Sequence, residues 1–318
     1  MKKIAFVFPG QGSQTVGMLK ELAALYPIIQ QTFTEASSTL GYNLWKLIQE
    51  GPLEQLNQTE YAQPALLAAG VAVWRVWQNN QYPMPSLFAG HSLGEYTALV
   101  CADALDFKAA IKLVEERGKV MQNAVPVGKG AMAAIVGLTE EKVLNICQQA
   151  AQNAILAPAN YNSIGQIVIA GETSAVERAI ELAKQAKAKI AKFLPVSVPS
   201  HCVLMEPAAM AFKEKLDKIN IKKPGIPVLH NVDVESHDTP NEIRNVLVKQ
   251  LYNTVKWTQT IQKMAQQYGI SYIFECGPGK VLTGLSKRIV SDIVVETLGM
   301  PENFESAVKL ITLNIKED

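Results

Sequence analysis

Short apolar runs alternate with longer stretches of helical period along almost the whole chain. This is the pattern of an α/β fold built on a mostly parallel sheet. The first run, residues 4–8, is apolar at every position and stops at Pro9-Gly10-Gln11-Gly12-Ser13-Gln14, so it reads as a strand buried on both faces. Helical periodicity follows over roughly 17–50, with breaks, and over 60–79. A second short strand at 86–89 runs into Gly90-His91-Ser92-Leu93-Gly94, after which helices are expected from Leu93 and over 106–124.

Between 128 and 198 the rhythm changes. Residues 131–136 read as strand and 139–152 as helix opened by Thr-Glu-Glu. Strands at 155–160 and 166–170 are joined by Asn162-Ser163-Ile164-Gly165, and a helix at 174–188 leads to a strand at 190–198. The order β-α-β-β-α-β is that of a ferredoxin-like unit. The expected organisation is therefore a large discontinuous α/β domain, 1–127 and 199–318, carrying an inserted ferredoxin-like subdomain at 128–198. In the returning half, helices are expected over 203–219, 240–251 and 257–268, and strands at 226–231 and 272–276. A Gly-Pro-Gly turn and a further helix follow, and residues 314–318 read as a loose polar end.

Composition narrows the function classes. With 318 residues, 48% hydrophobic and 19% charged, the chain can bury a large core and is not a disordered one. A formal net charge of +1 gives no global attraction to nucleic acid or to a membrane surface, so neither is expected as a partner and recognition must be local. Cys101, Cys147, Cys202 and Cys276 are scattered, with no histidine at ligand spacing, which points to reduced thiols and no metal site. The N-terminal apolar run is too short for a signal peptide or a membrane span, so a cytoplasmic protein is expected.

The candidate chemistry starts at Gly90-His91-Ser92-Leu93-Gly94, a G-x-S-x-G nucleophile elbow between an expected strand and an expected helix, as in a hydrolase-like domain. Small flanking residues allow the sharp turn, and the serine oxygen projects at a helix N-terminus where backbone N–H groups meet a developing oxyanion. The hydroxyl needs a base. His91 is adjacent to Ser92 and should point away, His237 lies in a polar loop and reads as solvated, and His230 ends an apolar strand and reads as a core histidine. His201 follows the last strand of the inserted unit, where a side chain would return to a cleft, and is the expected base. Asp103, Asp106 and the glutamates at 115, 116, 140, 141, 172, 177 and 181 all read as helix surfaces or starts. A backbone carbonyl or an amide is then expected to orient the histidine, which argues against a plain esterase.

Four segments in this order, Phe8-Pro9-Gly10-Gln11-Gly12-Ser13-Gln14, Gly90-His91-Ser92-Leu93-Gly94-Glu95, Val198-Pro199-Ser200-His201 and Glu275-Cys276-Gly277-Pro278-Gly279, resemble those of malonyl-CoA:acyl carrier protein transacylases, relatives of the acyltransferase domains of polyketide synthases. The resemblance covers nearly the whole chain, to about residue 300. It implies Ser92 as nucleophile and His201 as general base and acid, with the backbone N–H groups of Gln11 and Leu93 forming the oxyanion hole. It also implies that Arg117 pairs with the free malonyl carboxylate and that the Gln250 backbone carbonyl orients the histidine. Malonyl-CoA and holo acyl carrier protein are the implied partners. No cofactor is implied, coenzyme A arriving as a thioester substrate, and Gly10-Gln11-Gly12 is no dinucleotide fingerprint. A monomer serving fatty acid synthesis is expected.

Arginine suits the carboxylate role because its planar fork grips a carboxylate through two parallel hydrogen bonds. The chain departs from the family pattern at Ile164, Thr254 and Lys256, where the family commonly has proline, proline and arginine. The first touches a subdomain turn and the other two the segment beyond Gln250. Three alternatives stay open on the residues themselves: a serine hydrolase on the same elbow, an acyltransferase with another acyl preference such as methylmalonyl, and a non-catalytic docking protein. Arg117 speaks against the first, since a hydrolase of neutral acyl groups has no use for it.

Overall fold

The computed structural model describes residues 2–196 and 198–315. Its strands are β1 (Lys3–Phe8), β2 (Leu87–Gly90), β3 (Gly130–Val136), β4 (Leu156–Ser163), β5 (Gln166–Glu172), β6 (Ile190–Phe193), β7 (Val228–Leu229), β8 (Ile270–Glu275) and β9 (Val294–Thr297). Alternation along β1 sends Ile4, Phe6 and Phe8 to one face and Ala5 and Val7 to the other. Both faces are covered, which explains the absence of polar positions in the run. On the first, Phe6 meets Trp77 edge-on at 4.9 Å and Trp74 at 5.6 Å, both from the Thr59–Asn79 helix. On the second, Trp257, Ile261 and Leu282 pack over the smaller Ala5, Val7 and Ala89.

β1 is the centre of a five-stranded sheet of order β7-β2-β1-β8-β9, parallel throughout. The second sheet, β4-β5-β3-β6, is antiparallel and carries the helices Glu140–Ala151 and Thr173–Gln185 against one face. Its chain order, strand-helix-strand-strand-helix-strand, is the ferredoxin-like one. β4 of the second sheet is tied to the segment after the Pro240–Gln250 helix, where Tyr161 N–H donates to Val255 O (3.0 Å), Val255 N–H to Ala159 O (2.9 Å) and Thr254 Oγ1 to Pro158 O (2.7 Å). Thr254 therefore makes a hydroxyl bond that a proline there could not. Ile164 is 67% exposed at the tip of the β4–β5 turn.

Several elements are shorter than the apolar pattern implies. β6 ends at Phe193 instead of reaching 198, because Pro195 has no N–H to continue a ladder. β7 keeps only Val228–Leu229 of 226–231, preceded by Pro227, whose carbonyl accepts from Phe88 N–H. The helix expected over 203–219 is a 3₁₀ turn, Val203–Met205, followed by Glu206–Leu216. β9 and the Pro301–Ile315 helix were not foreseen. That helix includes residues 314 and 315 of the expected loose end, and 316–318 lie outside the described residues.

The elbow imposes the tightest packing in the large sheet. A Cβ on Gly90 would lie 1.8 Å from the Gly94 carbonyl carbon, and one on Gly94 would lie 1.9 Å from Phe8 O. The helix that follows Ser92 thus rests directly on the backbone of β1 and β2. Gly94→Ala should cost about 3 kcal/mol or more, the upper end for overpacking, because backbone has to move. Urea denaturation measures this, and an unchanged midpoint would refute the packing.

Candidate active site

The site forms beyond the carboxyl ends of β1 and β2, where parallel sheets leave their crevices. Phe8 pairs in register with Gly90, and His91 N–H donates to Phe8 O at 3.0 Å, so the loop after β1 and the turn after β2 lie side by side. Ser92 occupies φ 50°, ψ −106°, a strained conformation for a residue with a Cβ. Asn231 holds it there: its Oδ1 accepts from Ser92 N–H at 2.7 Å and its Nδ2 donates to Gly90 O at 2.7 Å. The backbone N–H groups of Gln11 and Leu93 donate to no partner among the described residues. The Gln11 side chain is exposed and reaches Thr59 Oγ1 at 3.4 Å.

His201, 4% exposed, is itself in a left-handed conformation at φ 64°, with its N–H on Leu251 O at 3.0 Å. Its Nδ1 lies 2.7 Å from Gln250 O and its Nε2 lies 2.8 Å from Ser92 Oγ. A carbonyl can only accept, so the ring proton sits on Nδ1 and the Nε2 lone pair faces the serine hydroxyl. That is the tautomer a base toward Ser92 requires, and no carboxylate is needed to set it.

Arg117 is 1% exposed on the Phe107–Gln122 helix. Its Nη1 donates to Gln63 Oε1 at 2.8 Å, and its Nη2 to Gln250 Oε1 at 2.9 Å and to Ser92 Oγ at 3.2 Å. The guanidinium carbon stands 5.2 Å from the centre of the Tyr96 ring. The buried Nε has no hydrogen-bond partner, and no carboxylate pairs with the group among the described residues. Neighbouring Glu115 and Glu116 are engaged by Lys112, Lys119 and Lys215. Glu115 is buried, not on the helix surface as its position in the chain suggested.

Ser92, His201, Arg117 and Gln250 are thus linked in one hydrogen-bonded cluster. Two further residues hold them. Asn231 is one. Glu95 is the other: fully buried, its Oε1 is 2.7 Å from His230 Nδ1, and its Oε2 accepts from Asn231 N–H at 2.9 Å and Gln250 Nε2 at 2.8 Å. Reading acids by chain position passes over Glu95 because it sits inside the elbow segment. Its place one turn into an otherwise apolar helix was the available signal.

The other histidines stand apart from the serine oxygen. His91 Nε2 lies 2.8 Å from Asn162 Oδ1 on β4, His230 is buried against Glu95, and His237, expected to be solvated, is half-buried beside Asp233. Glu275 of the Glu-Cys-Gly-Pro-Gly segment serves structure: its carboxylate caps the Val281–Ile289 helix through Leu282 and Thr283 N–H.

Burial, and after it the positive charge of Arg117, hold the His201 imidazole down at about 3, with the Gln250 carbonyl opposing. The ring is then neutral across the working range. Labelling of Ser92 by an organophosphorus fluoridate should keep a constant rate from about pH 8 to about pH 5, where an ordinary imidazole of pKa about 6.5 would lose its base form. Stability should move differently. Between about 6.5 and about 3 the unfolded chain binds a proton at this histidine that the folded chain does not, so this contribution is lost as pH falls through that window. A labelling rate that halves near pH 6.5 would contradict the burial of the base.

A family model described as an acyl transferase domain matches residues 5–289. The malonyl CoA-acyl carrier protein transacylase of Escherichia coli (strain K12) is 54% identical over 310 residues, 98% of this chain and 100% of that protein. The crystal structure of an acyl carrier protein S-malonyltransferase from Vibrio cholerae superposes with a TM-score of 0.94 at 54% identity, covering 96% of this chain and 99% of the other. A malonyl-transacylase solved in complex with a type II PKS acyl-carrier protein gives 0.95 at 53% identity, covering 96% and 99%. The chain therefore belongs to the acyl transferase family and, within it, to the malonyl CoA-acyl carrier protein transacylases.

Proposed function

We propose that the protein transfers a malonyl group from malonyl-CoA to the pantetheine thiol of holo acyl carrier protein, supplying fatty acid synthesis, through a malonyl ester on Ser92. The observation that carries this is a buried guanidinium with no carboxylate partner among the described residues, 3.2 Å from the hydroxyl of a serine that also faces a histidine lone pair. In a malonyl ester the free carboxylate lies only two bonds beyond the carbonyl carbon, so it would fall beside Arg117 and supply the missing counter-charge.

The steps follow from the hydrogen bonds. His201 Nε2 takes the Ser92 proton as Oγ attacks the thioester carbonyl, and the free N–H groups of Gln11 and Leu93 are suited to the oxyanion. Collapse breaks the carbon–sulfur bond, and the departing coenzyme A sulfur takes the proton from Nε2. The carrier's thiol then gives its proton to Nε2, attacks the ester, and the serine oxygen reclaims the proton. The Gln250 carbonyl keeps Nδ1 protonated throughout. Acyl transfer by this route needs no cofactor, and the coenzyme A thioester is a substrate.

We read residues 128–198 as a subdomain against the discontinuous 1–127 and 199–318 domain, supported by its separate sheet and by the few bonds from β4 to Thr254 and Val255. The proposed working unit is a monomer, in which Ser92, His201, Arg117 and Gln250 already meet. No described helix is long and apolar enough to cross a membrane, which is compatible with action in the cytoplasm.

Intact-protein mass spectrometry after brief mixing with malonyl-CoA should show a malonyl adduct that is absent in Ser92→Ala and moves to added holo carrier protein. Arg117→Ala should slow adduct formation by about 100-fold, the scale of losing one partner of a buried charge pair, without slowing acylation by acetyl-CoA. An adduct that appears only as free acid would favour a hydrolase. Equal slowing with both thioesters would remove Arg117 from carboxylate recognition.

A further inference from the structure

We infer that Glu95 is a positioning residue for malonyl recognition: by fixing the side-chain amide of Gln250, it sets where Arg117 points. The inference rests on Arg117 as the carboxylate anchor. Glu95 is 0% exposed on a helix whose other residues are also buried, and a carboxylate in such a place needs compensating partners. None of its hydrogen bonds among the described residues goes to the Ser92 hydroxyl or the His201 ring. Its partners are three donors: His230 Nδ1, Asn231 N–H and Gln250 Nε2.

The Ser92 carbonyl (3.0 Å) can only accept and Arg117 Nη2 (2.9 Å) can only donate, so the amide turns its NH₂ toward Ser92 O and Glu95 Oε2 (2.8 Å) and its Oε1 toward the guanidinium. Glu95 Oε2 is thus the side-chain acceptor that holds the amide in this place. Carboxylate, amide and guanidinium form one hydrogen-bonded chain.

His201 is oriented by the same residue through a different atom, the Gln250 backbone carbonyl at the end of the Pro240–Gln250 helix, with a second tie from Leu251 O. That carbonyl is held by the main chain and does not depend on the amide's orientation. A loss at Glu95 should therefore disturb the Arg117 arm more than the Ser92–His201 arm, which Glu95 reaches only through Asn231 and Gln250. Glu95→Met tests this at similar volume, because it removes the acceptor from Gln250 Nε2, which Glu95→Gln would leave in place by turning its NH₂ to His230 and its oxygen to Gln250.

The experiment compares single-turnover acylation by malonyl-CoA, read by mass spectrometry, with the burst from p-nitrophenyl acetate, which needs only the serine and histidine. In Glu95→Met, malonyl acylation should fall about ten-fold or more relative to the p-nitrophenyl acetate burst. Gln250→Met, which removes the amide oxygen that accepts from Arg117, should lower the same malonyl-to-acetate ratio by a similar factor. The double variant should lower it by no more than either alone, since both cut one chain. An unchanged ratio in Glu95→Met, or multiplying losses in the double variant, would overturn the role of Glu95. Should Glu95→Met fail to fold, Gln250→Met decides, a lowered ratio supporting the inference and an unchanged one overturning it. The wild-type control separates the two readings: no malonyl adduct there would overturn the proposed function itself, whereas an adduct formed equally fast by Glu95→Met overturns only the inference.

Discussion

Removing an ionised group from water costs several kcal/mol unless the protein replaces its hydration, roughly the scale that separates a folded domain from an unfolded one. Arg117 is removed from water almost completely and has no carboxylate partner among the described residues. What replaces its hydration is a set of neutral acceptors and an aromatic face: the Gln63 and Gln250 amide oxygens, the Ser92 hydroxyl and the Tyr96 ring. Each must be held in place, and much of the surrounding polar structure is the means of holding them. Burial pushes the guanidinium's own pKa down, opposed by Tyr96 and Glu95, yet arginine keeps its proton where lysine would release it. A site that must stay cationic while dry has little choice of residue.

The scaffold holds the two reacting residues in strained backbone. Ser92 and His201 both sit at positive φ, and each is tied by its N–H to a group outside its own turn, Asn231 Oδ1 and Leu251 O. Strain of this kind persists only where the surroundings over-determine it. Here the over-determination comes from the two glycines that let the elbow helix touch β1 and from Asn231 bonding both ends of the turn. Asn231 also gives its N–H to Glu95, and its carbonyl accepts from Lys256 N–H, so the elbow, the segment after β7 and the segment after Gln250 are locked together. The departure at Lys256 leaves that main-chain bond in place.

Periodicity and turn chemistry carried most of the architecture, because both sheets are built from runs whose burial matches their length. Where it failed, local backbone chemistry overruled hydrophobicity: Pro195 shortens β6, and Pro227 precedes a β7 of two residues. The Ser92–His201 contact was legible because a strand-to-helix elbow limits where its base can come from. Arg117 was not legible from the residues themselves, since an arginine flanked by Glu115 and Glu116 looks like a solvated helix face, and only the resemblance picked it out. Glu95 and Asn231 were missed for a different reason. Their importance lies in bonds spanning about 140 residues of chain, and no spacing rule reports such a pairing.

The guanidinium and the imidazole are also coupled, and the coupling orders the reaction. After burial, the Arg117 charge is the main influence pressing His201 toward about 3, which keeps the ring an unprotonated acceptor but a weak base. A carboxylate seated on Arg117 cancels much of that field, because opposite charges in contact look nearly neutral a few ångströms away. On the proposed reading, the base would then strengthen only with an anionic acyl group in place. A neutral acyl group would leave the field in place and the base weak. Discrimination between malonyl and a neutral acyl group would therefore act twice on this arrangement, once in holding the carboxylate and once in the readiness of His201 to take a proton.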